Sequence, residues 1–336
     1  MVDLLMSSPS REIVLSGLRP TGRVHLGNYW GAVKNWVDLQ EKYACRYFVA
    51  DLHALTTDYA DTSSIREASV EAVTDWLSVG LDPEKSVIFV QSRVPQTAEL
   101  ALVFGMITPL GWLERVPTYK EQIEQLRERD LGTFGFLGYP VLMTADIALY
   151  LAHYVPVGKD QESHLEICRE IVRRFNGFYG DVFPEPKALF TATPKVPGLD
   201  GRKMSKSYNN TLALSDSAEV VAKKVMGMVT DPGRARRSDP GDPDACNLYP
   251  FHVLYSTSDE QKVVAEECRA ATRGCVDCKK HLIRNMNAAL EPIRQKRAEI
   301  VAQKDYVKDV LADGNSRAKA IATETMERVS NAMGLL

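Results

Sequence analysis

The sequence predicts an α/β protein in which a parallel sheet with crossover helices precedes a smaller all-α region. Three observations carry that prediction. Short β-rich runs alternate with helical patterns through the first half of the chain, strand signals fade after Tyr208, and 336 residues is about twice the usual domain length. Such a chain can bury one large core plus a smaller unit. The two parts are placed at 1–212 and 213–336.

The first strand is EIVLSG, followed by a helix from Asn28 to about Tyr43 with Trp30, Val33 and Val37 on one face. RYFVAD is the next strand. A second helix sets Ile65, Ala68, Ala72, Val73, Trp76 and Leu77 on one face, with Ser64 and Glu67 as a capping-box pair and Gly80 and Pro83 as its stop. SVIFVQS follows as a strand. The apolar run VPVGKDQ leads into a helix with face Leu165, Cys168, Ile171, Val172 and Phe175, and ALFTAT is the last strand. Beyond it the periodicity predicts helices over 216–229, 258–271, 276–312 and 315–333, the first two joined by a Pro-, Gly-, Asp- and Arg-rich functional loop.

A hydrophobic content of 45% with 25% charged residues is that of a soluble protein, and a net charge of −3 does not advertise a nucleic-acid binder. Any RNA contact must therefore be a local basic patch. The N-terminus lacks a basic region followed by an apolar run of signal length, and the run ALVFGMITPLGWL is broken by Gly and Pro, so the chain reads as cytoplasmic with no membrane segment. In that reducing compartment its six cysteines are not expected as disulfides.

Two stretches carry phosphate chemistry. In SGLRPTGRVHLGNYWGAV, Gly17, Gly22 and Gly27 flank a turn that feeds a helix, gathering free N–H groups and a positive dipole end beside His25. In DGRKMSKSYNN, Lys203 and Lys206 form a cation pair that could clamp the charge of a leaving pyrophosphate when the loop closes. Gly158, Lys159, Asp160 and Gln161 open another helix after the VPV strand, with Asp160 as its cap.

PTGRVHLGN at 20–28 and KMSKS at 203–207 resemble the two signatures of class I aminoacyl-tRNA synthetases, with Asn28 where the commonest form has histidine. SGLRPTGRVHLGNYWGA, VADLHALT, YPVLMTADIALY, VPVGKDQESH and GRKMSKS are similar in order and spacing to bacterial tryptophanyl-tRNA synthetases. The resemblance implies a homodimer with a Rossmann-like catalytic domain and a helical domain for the tRNA anticodon arm. Such enzymes make tryptophanyl-adenylate from L-tryptophan and ATP with Mg²⁺, then charge tRNA(Trp). It further implies ATP contacts from Arg19, Pro20, Thr21, Gly27, Asn28, Gly158, Lys159, Asp160, Val196, Lys203, Met204, Ser205, Lys206 and Ser207. His25, Lys203 and Lys206 would stabilise the departing pyrophosphate, His53 would border the amino-acid pocket, and Tyr139 with Gln161 would hold the α-amino group. Lys159 departs from the family, which usually has an acidic residue there.

Tyr139, Met143 and Asp146 stand at i, i+4 and i+7, so on a helix they share one face, a carboxylate beside a thioether and an aromatic ring. Asp146 accepting an indole N–H would reject phenylalanine. A tyrosine-specific enzyme of the same architecture also sets an aspartate against a polar ring atom; Met143 and the ADI context favour tryptophan.

Cys246, Cys268, Cys275 and Cys278 cluster in the second half with gaps of 21, 6 and 2 residues. Four thiolates suit Zn²⁺ or a [4Fe-4S] cluster alike. A subset of the resembled family carries a [4Fe-4S] motif here, its first gap one residue longer, which favours that cluster with zinc second. GRARR at 233–237 and CKKHLIR at 278–284 concentrate positive charge around the same place.

Overall fold

A computed structural model describes residues 11–116, 119, 131–158, 162–190 and 196–335. Its centre is a five-stranded parallel sheet of β1 (Ile13–Leu18), β2 (Ala44–Val49), β3 (Ser86–Val90), β4 (Tyr154–Val157) and β5 (Lys187–Phe190) in the order β3-β2-β1-β4-β5. All five predicted strands have a counterpart, ALFTAT as far as Phe190, its last three residues lying outside the described ones. Because the chain winds outward from β1 through β2 to β3 and then returns to start β4 on the other side, the winding direction reverses between β1 and β4. In sheets of this kind ligands bind beyond the carboxyl ends of the strands at that reversal.

Successive strand residues point to opposite faces, and both faces are buried. Val14, Tyr47 and Ile88 enter one core with Trp36 and Trp76, while Leu15, Phe48 and Phe89 enter the other with Phe104, Ile147 and Phe175. Trp36 stacks on Tyr47 at 4.6 Å and meets Trp76 edge-on at 5.2 Å, a packing that seats helix Ile65–Ser78 on the sheet. The helical second half adds to the same cores: Val221, Phe251, Leu282 and Met286 join the first, Ala318, Ala322 and Met326 the second.

Several boundaries differ from the sequence expectation for identifiable reasons. The first helix begins at Leu26, because His25 caps it, widens into a π turn over Tyr29–Val33 and ends at Leu39. Ser64 makes no side-chain cap: its backbone is already helical, at φ −89° and ψ −13°, whereas a capping residue is extended. The capping box that does form is Thr257 with Glu260, at the start of helix Ser258–Arg269. The expected helix over 276–312 is instead Cys275–Ala302, and the last helix runs Tyr306–Met333. Asp305 breaks them by adopting a left-handed conformation, φ 66°, which aspartate tolerates better than most residues. Helices Asp51–Asp58, Gln96–Ile107 and Tyr249–Tyr255 carry too mixed a pattern to be read from sequence.

The break at Asp305 lets the last helix return to the sheet and cover the edge of β3. Val90 donates its N–H to Asn315 Oδ1 at 2.9 Å, which occupies a ladder position that would otherwise be an open edge. The approach is close enough that a Cβ on Gly314 would lie 1.8 Å from the Ile88 carbonyl oxygen. No helix among the described residues is long and apolar enough to cross a membrane. Replacing Gly314 with alanine should push the helix off β3 and destabilise the protein by about 3 kcal/mol or more, read as a lowered denaturation midpoint; an unchanged midpoint would refute this packing.

Candidate active site

The two lysine- and glycine-bearing stretches, about 180 residues apart in sequence, meet at the reversal between β1 and β4. Lys206 Nζ donates to the Thr21 carbonyl, and Gly27 N–H donates to Met204 Sδ at 3.3 Å. The chain between them completes the contact: Leu26 N–H donates to the Leu212 carbonyl at 2.8 Å and Leu214 N–H to that of Val24 at 2.9 Å. Gly22 sits at φ 87°, a backbone conformation that calls for glycine, with Lys206 Nζ 3.1 Å from where a Cβ would stand.

His25 is buried and caps its helix, Nδ1 accepting from Asn28 N–H at 3.2 Å. Burial, with the charge of Lys206 adding, brings its pKa down from 6.5 to about 4. It is therefore neutral at pH 7, and because Nδ1 accepts, the proton lies on Nε2 as a donor. Much of Lys206 is exposed, yet its ammonium packs against the turn; that desolvation lowers its pKa, with Arg23 also lowering it and Asp75 opposing. Lys203 is exposed, and its ammonium has no ion-pair partner among the described residues.

The KMSKS loop is organised by Asn210, which no sequence pattern singled out. Asn210 is 2% exposed. Its Oδ1 accepts from Ser205 N–H at 2.8 Å, and its Nδ2 donates to Asp200 Oδ1 at 2.7 Å and to the Lys203 carbonyl at 3.1 Å. The Asn210 bond, with the side-chain and backbone bonds and the charge of Arg202, holds the Asp200 carboxyl down at about 2. Asn247 staples the loop base by donating to the Gly198 carbonyl at 2.9 Å. Met204 is buried in the core, and Val196 packs against the same cluster.

Arg19 is turned towards helix Asp51–Asp58, donating to Asp58 Oδ2 at 2.8 Å and to Thr57 Oγ1. Pro20 is buried, Thr21 exposed and Gly158 partly buried at the end of β4. Lys159, Asp160 and Gln161 lie outside the described residues, and Ser207 belongs to the short turn Lys206–Tyr208.

Helix Tyr139–Leu149 carries Tyr139, Met143 and Asp146. Tyr139 and Asp146 face one point: His53 Nε2 lies 2.9 Å from Asp146 Oδ2, and the His53 ring meets Tyr139 edge-on at 6.4 Å. Met143, partly buried, packs against the second core. Burial raises the Asp146 pKa, while His53 and Gln91 counter it. Gln91 and His164 join this cluster. Gln91 Nε2 donates to both Asp146 oxygens at 2.9 and 2.8 Å, and the buried His164 bonds the Tyr139 hydroxyl. The only sequence signal for Gln91 is its place just after β3, at the carboxyl edge of the sheet.

In the second half, Cys246, Cys268, Cys275 and Cys278 line one cavity of about 20 Å³ together with Asp231, Arg234 and Arg273. Arg234 Nη1 stands 3.9 Å from Cys268 Sγ, and His252 Nε2 3.3 Å from Cys278 Sγ. All four are free thiols, and among the described residues no three His, Cys, Asp or Glu groups stand as ligands of a metal ion. Around the cavity Arg236, Arg237 and Lys280 are exposed, while Lys279 is bound inward to the Met226 and Met228 carbonyls.

The profile of the family tRNA synthetases class I (W and Y) matches residues 8–291. The tryptophan–tRNA ligase of Thermotoga maritima is 51% identical over 96% of this chain and 99% of its own length, and that of Aquifex aeolicus 43% identical with the same two coverages. Among solved structures, the tryptophanyl-tRNA synthetase of Campylobacter jejuni complexed with ADP and tryptophan superposes with a TM-score of 0.86 at 36% identity, covering 96% of this chain and all of that one. A family match over residues 8–291, 51% identity over nearly the full length and a shared fold together place this chain in the class I tRNA synthetases (W and Y), among the bacterial tryptophanyl-tRNA synthetases.

Proposed function

We infer that the chain activates L-tryptophan with ATP to tryptophanyl-adenylate and diphosphate, then transfers the amino acid to tRNA(Trp) with release of AMP. The observation that carries this reading is the contact between the glycine turn and the KMSKS loop at the sheet reversal, taken with the buried carboxylate of Asp146. The tryptophan carboxylate oxygen attacks the α-phosphorus in line, the bond to the bridging oxygen breaks, and diphosphate departs with its electron pair. A ribose hydroxyl of the tRNA then attacks the acyl carbon and displaces AMP. No protein nucleophile is needed.

The chain's own residues orient these groups and neutralise charge. His25 donates from Nε2 to a phosphate oxygen, and Lys206 and Lys203 meet the β- and γ-phosphates; the N–H groups of Leu26, Gly27 and Asn28, expected from the sequence to be free, are taken instead by the Leu212 carbonyl, Met204 Sδ and His25 Nδ1. Mg²⁺, typical of the family, would supply further charge neutralisation on the phosphates. The Asp146 carboxylate takes the indole N–H, Met143 and His53 border the ring, and Tyr139 with Gln161 holds the α-amino group. Arg19–Thr21, Gly158–Asp160 and Val196 contact the nucleotide.

Four thiols converging on one cavity beside Arg234 and Arg273 fit the donor set and charge of a thiolate-bound cluster. We assign [4Fe-4S] there, with zinc as the second reading. Bound, the cluster would brace the loop carrying Arg236, Arg237 and Lys280 against the anticodon arm of the tRNA. The exposed stripe of Leu102, Met106 and Leu110 is an apolar face that a second copy of the chain would cover as a homodimer. Translation places this work in the cytoplasm.

ATP–pyrophosphate exchange should occur with tryptophan and not with tyrosine or phenylalanine; exchange with tyrosine would overturn the specificity. Lys206→Ala should lower the exchange kcat by about 100-fold or more, with a smaller change in KM for ATP. Anaerobically purified protein should contain about four irons per chain; zinc instead would select the second reading. Cys278→Ser should reduce tRNA charging by about tenfold more than exchange, since a brace on the tRNA-binding loop leaves adenylate chemistry in place; equal losses would refute the bracing role. Light scattering should give twice the chain mass of 37.4 kDa, and a monomer would refute the apolar face as a dimer interface.

A further inference from the structure

The Asp146 carboxylate rests in a network that does more than bury it. Gln91 is fully buried at the end of β3. Its Oε1 accepts from Leu52 N–H at 3.1 Å and His53 N–H at 3.3 Å, two of the donors that the start of helix Asp51–Asp58 leaves without helical partners. Its Nε2 donates to Asp146 Oδ1 and Oδ2. An amide can in general sit either way round, but here the flipped orientation would set N–H against two N–H donors and a carbonyl oxygen against a carboxylate. The helix start therefore decides which end of Gln91 meets Asp146.

We propose that Gln91 is a specificity-positioning residue: held by the Leu52 and His53 amides, it clamps Asp146 as an acceptor-only carboxylate aimed at the substrate ring N–H. The proposal rests on the tryptophan-activating reading above. A protonated Asp146 would turn an O–H into the Gln91 amide hydrogens or give up one of their bonds, so the clamp favours the ionised form in a site that otherwise disfavours charge. It also distinguishes the two oxygens. Among the described residues Oδ2 takes bonds from Gln91 and His53 and Oδ1 from Gln91 alone, which leaves Oδ1 as the oxygen for the indole.

Other charged groups face the same carboxylate. Helix Asp51–Asp58 contributes His53, which favours the ionised form, and Asp51, which opposes it. Tyr150 comes from the end of Asp146's own helix, with Arg46 of β2 over its ring, and His164 of helix Glu162–Tyr179 reaches Tyr139. Without Gln91, burial and Asp51 act against His53 alone. The carboxylate would then take up a proton at higher pH than in the native protein, and tryptophan binding would be lost as pH falls.

The test is tryptophan-dependent ATP–pyrophosphate exchange across pH 6 to 9 in the full chain and two variants, each first shown to melt cooperatively. Gln91→Met keeps the volume and removes the donors. It should raise KM for tryptophan by about 10- to 100-fold with kcat changed by less than about threefold, as expected for a lost bond to a charged group made equally in ground and transition states. The acid limb of its kcat/KM profile should move up by about one pH unit. Gln91→Glu still accepts from Leu52 and His53 but can donate to Asp146 only when protonated, so its tryptophan affinity should fall as pH rises, the opposite slope. A packing role for Gln91 predicts neither the shifted limb nor the reversed slope, and native-shaped pH profiles in both variants would overturn the proposal while leaving the synthetase reading intact. No tryptophan-dependent exchange by the native protein would instead overturn that reading and this inference with it.

Discussion

The buried carboxylate of Asp75 is the constraint on which the rest of the site depends. It is fully buried on helix Ile65–Ser78, accepts from Val24 N–H at 2.7 Å and is paired with Arg297 Nε at 2.8 Å. Arg297, from helix Cys275–Ala302, also reaches Glu71 at 2.6 Å. Three segments distant in sequence, the glycine turn before His25, a crossover helix and the long helix Cys275–Ala302, thus share one ion pair. Burial raises the Asp75 pKa, and Arg297 with the Val24 amide supports the ionised form against that. Removing one partner of such a pair leaves an uncompensated buried charge, at a cost on the order of 3–5 kcal/mol, far above an exposed pair.

That pair fixes the backbone immediately before His25, and the groups of the candidate site inherit their positions from it. Val24 held by Asp75 leaves its carbonyl for Leu214 and presents Leu26 N–H to Leu212, which draws in the chain that follows the KMSKS loop. Asp75 also acts on Lys206 directly, favouring its charged form where desolvation disfavours it. His25 and Lys206 are thereby fixed by the folded chain itself, the preorganisation on which the proposed displacement at phosphorus would draw. The same link joins the glycine turn to the helical half that carries the four cysteines.

Much of this architecture was legible in the sequence. The five strands stand out because a parallel sheet buried on both faces needs short apolar runs. The helix face Leu165, Cys168, Ile171, Val172 and Phe175 is buried in full, since an 18-residue amphipathic helix leaves its periodicity on the surface of the text. Ser64 misled because a capping pattern reports residue type, whereas the cap requires an extended backbone at that residue. Asp305 misled for the converse reason: nothing in a run of good helix formers announces a single left-handed residue whose benefit is the docking of the next helix on β3.

The sequence by itself determined the fold class, the family and the residue types of the chemistry, because glycine turns, the KMSKS run and apolar periodicity are local properties written in consecutive residues. Tertiary structure decided the rest. Asp75, Gln91 and Asn210 are ordinary polar residues in the text. Their importance comes from burial beside partners 51 to 222 residues away for Asp75 and 38 to 55 away for Gln91, and, for Asn210, from the loop it closes on itself. A buried polar group must be satisfied wherever the fold carries it. Its partners are set by the fold that brings them together, and no pattern of neighbouring residues can name them in advance.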